Sequence, residues 1–465
     1  MPVILHILDQ LSGAGPTRSL IALAKYQARL GYAYQHRVAT LQREAYPMAL
    51  IDAKRAGLEI LRAPAPAALA DAIAGADIVQ LSFWNNPNIY AFLRQNWPEM
   101  RLLLWFTISG DRAPQVISPK LAHFADCCVA TSPGTLDLPA LHGAARRELV
   151  DAPTDFDRFA SVRPQPHTGF NVGYVGTVNF GKMHPEFVAM SAAVDVPGVR
   201  FILCGGRGEV QEQAVQSGAG ARFEFRGFVE NVGAVLNILD VFGYPLCEDT
   251  YATSEKSLQE ARFVGIPPVV FPHGGVQYLV QDGETGLVVR TPAEYTQAVE
   301  YLYRRPDERA RMGANARSFV QAHFAPDTTA RRFDDIYREL LAQPKRARAW
   351  GAGGESPAQQ FAEALGPAAG DFVTSMSATD LEICRAADAR IAAASPLLSG
   401  GEGGIIHYRN TFPQDGWLRY WAGLVLLARK RHAEAANELR AALQLGLAPA
   451  RVAHAWHQAE KAADV

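Results

Sequence analysis

Short, almost wholly apolar runs recur along the chain, separated by polar turns and by stretches with helical spacing. Val3–Leu8, His36–Leu41, Asp77–Leu81, Leu102–Trp105, Cys127–Ala130 and Arg147–Val150 predict strands in the first third. Asn171–Val175, Val199–Cys204, Phe223–Arg226, Val241–Tyr244 and Pro268–Phe271 predict strands further on. Between them, Thr17 to Leu30 places Leu20, Ile21, Leu23 and Ala24 on one helical face, and further helices are expected from about Pro185 and from Ser254. Repeated strand and helix alternation implies an α/β protein with mostly parallel sheets, whose ligands bind at the carboxyl ends of the strands.

Val162–Thr168, with Pro164 and Pro166, reads as a linker between two such halves. From Pro292 the pattern is helical, with Asp307 and Asp327 as helix-start signals and Phe333, Ile336, Tyr337 and Leu340 spaced for packing. The expected division is 1–160, 161–343, a linker at 344–358, and an Ala-rich helical extension at 359–465 broken at Ser399–Gly404 and Asn410–Asp415.

A chain of 465 residues exceeds one core, so two or three domains are expected. With 45 basic against 47 acidic side chains, the net charge of −2 gives no general attraction for nucleic acid. MPVILHILD lacks a basic leader and reads as a buried strand, and no apolar run approaches the roughly 18 residues of a membrane span. Cys127, Cys128, Cys204, Cys247 and Cys384 are scattered, as in a reduced cytosolic protein, with peripheral membrane association left open. No H-x-x-x-H or CxxC pattern is present to supply a metal site, and none is expected, nor is a cofactor.

The candidate chemistry concentrates in Val241–Val289. There a strand, a polar loop, a helix opened by Ser254, a second strand and a His273-Gly274-Gly275 turn place a helix N-terminus, the carboxylate of Glu260 and free backbone N–H groups at one sheet edge. That set suits an anionic, polyhydroxylated ligand such as a nucleotide-sugar. Gln259-Glu260-Ala261, Gly265-Ile266-Pro267, Gly274-Gly275 and Asp282-Gly283-Glu284-Thr285-Gly286 resemble the donor site of the retaining glycosyltransferases of family 4, on the two-Rossmann-domain GT-B scaffold. The likeness is specific from here to about Leu341, weaker before Val172, and absent from the last hundred residues.

The resemblance implies sugar transfer, with retention and without metal, from a nucleotide-sugar to a glycan, lipid-linked or protein acceptor in surface polysaccharide or glycoconjugate synthesis. Glu260 would bind the ribose hydroxyls. Lys182, Lys256 and Ser254 would face the phosphates, and His273–Gly275 the sugar or diphosphate. Gly227, Phe228 and Val229 would lie against the base, and the loop of Gly13, Gly15, Thr17 and Arg18 would face the diphosphate across the cleft. The family's usual pair of glutamates is incomplete, because Ala252 stands at the first; Glu255, Glu248 and Asp249 are nearby acids. Thr177 stands where an arginine is usual, and the family's acceptor-side histidine is missing. Asp111 is the nearest ionisable substitute, to take a proton from or hold an acceptor hydroxyl; the plainer alternative is a surface loop Asp. Trp84, Asn85, Asn86 and Arg112 are the remaining acceptor-side candidates.

Gly423, Leu426, Ala435, Leu439 and Ala442 resemble one tetratricopeptide unit, so the extension is either a site for a protein partner or a helical cap. Two other readings stay open: a nucleotide-sugar sensor or assembly protein without turnover, and an epimerase on the same scaffold.

Overall fold

The computed structural model describes residues 1–206, 208–351, 353–447 and 450–463. Arg207 of the 205–208 loop, Ala352 of the expected linker, and 448–449 and 464–465 of the extension lie outside them.

The first sheet contains β1 (Val3–Leu8), β2 (Gln35–Thr40), β3 (Glu59–Arg62), β4 (Ile78–Phe83) and β5 (Leu102–Phe106). A small hairpin follows, β6 (Asp111–Arg112) and β7 (Gln115–Val116), and then β8 (Cys127–Ala130) and β9 (Arg147–Leu149) complete the sheet. Its order is β3-β2-β1-β4-β5-β8-β9, all pairs parallel. The second sheet contains β10 (Phe170–Val175), β11 (Val199–Cys204), β12 (Phe223–Gly227), β13 (Val241–Tyr244), β14 (Pro268–Val270) and β15 (Leu287–Val288). Its order is β12-β11-β10-β13-β14-β15, also parallel. Strand order reverses between β1 and β4 in one sheet and between β10 and β13 in the other, which marks two crevices for ligands. The strands of the two large sheets missed in the sequence, β3 and β15, are short and only partly buried, so their apolar signal is weak.

Alternation assigns the two faces of the first sheet. Leu5, Ile7, Val79, Leu81, Leu102 and Leu104 point to one core, and Ile4, Ile78, Leu103, Trp105 and Val129 to the other. On the second face lies the returning helix Pro326–Leu341, with Phe333, Ile336, Tyr337 and Leu340 fully buried. Each such side chain contributes roughly 1.5–3 kcal/mol. Polar bonds fix the seating: Tyr337 donates to Gln80 Oε1 (2.5 Å), and Tyr34 to Asp334 (2.6 Å). Asp307 and Asp327 sit in the first turns of their helices behind an N1 proline, with Arg305 and Ala325 at the cap positions.

On the first face the core continues into the C-terminal extension. Phe361, Tyr408, Leu418 and Trp421 belong to the same buried cluster as Leu81 and Phe106. The expected linker is held down: Arg346 and Arg348 both pair with buried Asp126, and Trp350 packs between Tyr90 and Phe124. Helices Gly416–Ala428 and His432–Gln444 approach closely at Gly423, where a Cβ would meet Leu439 Cγ at 2.6 Å. No helix among the described residues is long and apolar enough to cross a membrane. All five cysteines are free and buried.

Candidate functional site

The helix Lys256–Val264 starts at the cleft edge of the second sheet and ends on Gly265, whose φ of 95° closes the turn. Glu260, one turn in, is buried and forms an ion pair with Arg18, which projects from the Gly15–Arg29 helix of the first domain. Both carboxylate oxygens otherwise lack a hydrogen-bond partner among the described residues. A buried carboxylate with unused acceptor capacity is costly unless a ligand fills it. Burial and the nearby Arg158 lower the Arg18 pKa to about 10, so it remains a cation at neutral pH.

Lys256 lies against the same loop, its Cε 3.9 Å from the position of a Cβ on Gly15, but its ammonium donates to the Pro153 carbonyl (2.5 Å). Complete burial, with Arg18 close by, pushes its pKa well down. Thr17 is also turned inward: its hydroxyl accepts from Ser12 N–H and donates to the Gln10 carbonyl, which shapes the glycine loop. Gly13 lies against the Tyr46 ring. The helix N-terminus behind this loop carries no side-chain cap.

Ser254 does not present its hydroxyl to the cleft, because it donates to the Thr131 carbonyl (3.3 Å). It belongs to a seam joining the two domains, with Thr131 to Thr253 (3.0 Å), Ser109 N–H to the Tyr251 carbonyl (2.9 Å) and Thr154 to Gln259 (2.8 Å).

Lys182 is not a free cation either. Its ammonium pairs with Glu255 at 2.9 Å, and Glu255 also accepts from the Tyr244 hydroxyl. Burial works against the Lys182 charge, but the Glu255 carboxylate and the Tyr174 hydroxyl outweigh it and raise the pKa. The acids near Ala252 are therefore distributed: Glu255 holds Lys182, while Glu248 and Asp249 are exposed. Ala252 itself is buried, and its carbonyl accepts from Gly275 N–H (2.6 Å). The 274–275 turn requires glycine, since a Cβ on Gly275 would come within 2.5 Å of the Thr253 carbonyl oxygen, and Gly274 has φ of 57°.

A polar cavity of about 250 Å³ opens between the domains, its lining including Asp111, Arg112, Glu248, His273, Gly274 and Gly275, and also Ser109, Ser132, Gln277 and Tyr278. Candidates from the two halves of the sequence thus share one space. Asp111 is exposed on its hairpin, with Arg112 3.7 Å away. Burial and Arg112 lower the His273 pKa against the opposing pull of Glu248, so the imidazole is neutral at pH 7. Gln277 and Tyr278 had no motif to reveal them.

Asn85 and Asn86, expected on the acceptor side, are fully buried. Asn85 donates to the Pro114 carbonyl (2.6 Å) and accepts from Tyr408 (3.1 Å), while Asn86 donates to Asp9 (3.0 Å) and caps the next helix. Trp84 is half-buried. Phe228 is 65% exposed and meets Tyr46 edge-on across the cleft at 5.3 Å. The Gly227 carbonyl accepts from Gly205 N–H (2.7 Å), and Val229 packs at the edge of the second core.

Comparison with known proteins gives this architecture a context. Structures of a glycosyltransferase from Rickettsia africae (TM-score 0.61, 15% identity, 74% of this chain and 99% of that one) and of Anabaena HepE with UDP and glucose (0.57, 17%, 73% and 100%) share it. The fold is GT-B. Residues 169–305 match the family model of glycosyl transferases group 1. Trehalose synthase of Pyrococcus horikoshii is 33% identical over 84 residues, which are 18% of this chain and 20% of the relative. The chain therefore spans about a fifth of that curated relative's length.

Proposed function

We propose that this chain is a retaining glycosyltransferase of family 4 that transfers a sugar from a nucleotide-sugar to a glycan, lipid-linked or protein acceptor without metal, in polysaccharide or glycoconjugate synthesis. The observation that carries the reading is the buried Glu260 carboxylate, at the start of the helix opposite the glycine loop, with hydrogen-bonding capacity left over. Ribose hydroxyls would donate to Glu260 and release Arg18 to the diphosphate. Charge developing on the departing diphosphate would be met by Arg18, by Lys182 behind Glu255, and by the N-termini of the two helices. The sugar would lie over Gly274-Gly275, and attack from the leaving-group face would give retention. The protein would work in the cytosol, at the membrane surface where the acceptor is lipid-linked.

A second reading, nucleotide-sugar binding without turnover, is favoured by one pair of facts: Ala252 in place of an acid, and Lys182 already neutralised by Glu255. Equilibrium binding of UDP, GDP, dTDP and ADP to the wild type and to Glu260→Ala comes first, followed by sugar release from the matching donor. Selective binding lost in the variant, with sugar release, supports transfer. Binding without release supports the second reading, and binding indifferent to Glu260 removes both.

A further inference from the structure

The reversal of strand order between β1 and β4 creates a crevice that the donor site leaves unused. At its floor, Asp9 is buried with its carboxylate accepting from Gln42 (2.8 Å), Asn86 (3.0 Å) and Asn88 (2.9 Å) side-chain amides. Beside it the Trp84 indole nitrogen is buried. Over both comes a loop from more than three hundred residues away, the Gly-rich 401–404 segment between two helices of the extension.

The backbone of that loop is fixed at several points. Gln115 Nε2 donates to the Glu402 carbonyl (2.7 Å), and Gly403 N–H donates to His407 Nδ1 (3.0 Å). Gly403, at φ of 75°, rests on Asn85 so closely that a Cβ would stand 2.5 Å from its carbonyl oxygen. The Glu402 residue is exposed, but its carboxylate is partly shielded beside Trp84 and His407, and no lysine or arginine pairs with it among the described residues. Its carboxylate lies beside the Trp84 indole, near Asp9, and near Tyr251 of the second domain, which also neighbours Lys182 and Glu255. Glu402 therefore stands at the carboxyl edge of the first sheet and looks toward the donor half of the cleft.

A carboxylate without a basic partner, an indole beside it and a second, caged carboxylate suit a neutral sugar or polyol. Hydroxyls donate to Glu402, a ring face lies on Trp84, and the two negative charges oppose a phosphorylated ligand. We propose that the 401–404 loop forms the outer wall of the acceptor site, and that Glu402 holds a hydroxyl of a neutral, polyhydroxylated acceptor in place for transfer. This rests on the glycosyltransferase reading above. It gives the extension a role within the site itself.

The test uses the full chain as wild type, Glu402→Gln and Glu402→Asp. Nucleotide affinity is measured first with UDP, GDP, dTDP and ADP; failure of the wild type to bind any would refute the donor site rather than the Glu402 role. With the chosen nucleotide saturating, saturation-transfer NMR titrations then follow p-nitrophenyl glycosides of glucose, galactose, mannose and N-acetylglucosamine, and the glucose and mannose 6-phosphates. The expected result is that a neutral glycoside binds and weakens about tenfold in Glu402→Gln, with partial recovery in Glu402→Asp and unchanged nucleotide affinity. The proposal is overturned if no neutral glycoside binds the wild type, if binding ignores residue 402, if the phosphorylated sugars bind better, or if nucleotide affinity falls in parallel.

Discussion

The carboxyl edges of the two sheets face the same cleft and are built in opposite ways. On the second sheet the parts of the site lie close in sequence, and backbone contact fixes them: the 274–275 turn seats on residues 252–253, and Glu260 follows on the next helix. On the first sheet the residues beside the strand ends are already engaged by distant chain, as Asn85 is by Pro114, Gln115 and Tyr408. A local site can diverge piece by piece while the scaffold stays. A site assembled from segments hundreds of residues apart depends on whatever covers it, here the C-terminal extension.

The strongest way to break this contrast is to release that cover. Asp126 accepts from Leu102 N–H (2.7 Å) and pairs with Arg346 and Arg348 in a setting where Asp126 and Arg348 are nearly inaccessible. Removing one partner of a buried pair leaves a charge without compensation, so Asp126→Ala should cost about 3–5 kcal/mol. Urea unfolding followed by tryptophan fluorescence should show one transition moved to lower denaturant. A separate early transition for the extension, with the main one unmoved, would show that the two do not share a core.

A second difference is that the first sheet carries an acid-sensitive histidine pair. His6 Nε2 and His36 Nδ1 are 2.9 Å apart and buried, and desolvation holds the His36 pKa down to about 4, with His6 lowered as well. Because these folded values lie below the unfolded value near 6.5, the unfolded chain binds more protons on acidification. The stability is intact above about pH 6.5 and is lost as pH falls toward 4, by a few kcal/mol. His36→Gln should flatten the fall between pH 7 and pH 5 relative to the wild type, and an unchanged slope would remove the pair from the account.

How much of this was legible follows the same division. Strand cores such as Val241–Tyr244 and Cys127–Ala130 were read to the residue, because a strand buried on both faces is a continuous apolar run. The returning helix was legible from its stripe. Glu260 and the 274–275 turn were nominated by local order and spacing, and the structure places them at one edge of the cleft. Lys182 was nominated by its place in the family pattern and Ser254 and Lys256 by the helix start they occupy, and position in sequence does not say that Glu255, Thr131 and Pro153 already engage them. Asn85 and Asn86 follow a strand and look like loop residues, since nothing nearby announces Tyr408. Glu402 read only as part of a break between helices.

On the proposed donor edge the expected effects are smaller. Glu260→Gln keeps the shape of the side chain and removes the charge that Arg18 and a ribose would share. A hydrogen bond to a charged group contributes about 1.5–3 kcal/mol, so nucleotide affinity should fall roughly 10- to 100-fold, while the unfolding midpoint moves less than in Asp126→Ala because Arg18, left without its partner, keeps access to solvent. Calorimetric titration checks this, and a loss under threefold would show that Glu260 serves the Arg18 pair and not a ligand.

The smallest effect concerns the aromatic contact between Tyr46, which packs beside the glycine loop, and Phe228, at the end of β12. Tyr46 packs on Gly13 and meets Phe228 edge-on, while Phe228 remains mostly exposed, so the pair lies over the cleft mouth without belonging to either core. Such a contact contributes about 0.5–1.5 kcal/mol beyond its buried area. If it holds the two domains together over the nucleotide, Tyr46→Ala and Phe228→Ala should each weaken binding about two- to tenfold, and the double variant should be no weaker than either single one. If the losses instead add, the rings act separately: Phe228 belongs to the base-binding edge of the second sheet and Tyr46 to the glycine loop. The donor site would then be two half-sites that a ligand joins, rather than a cleft the protein has already closed.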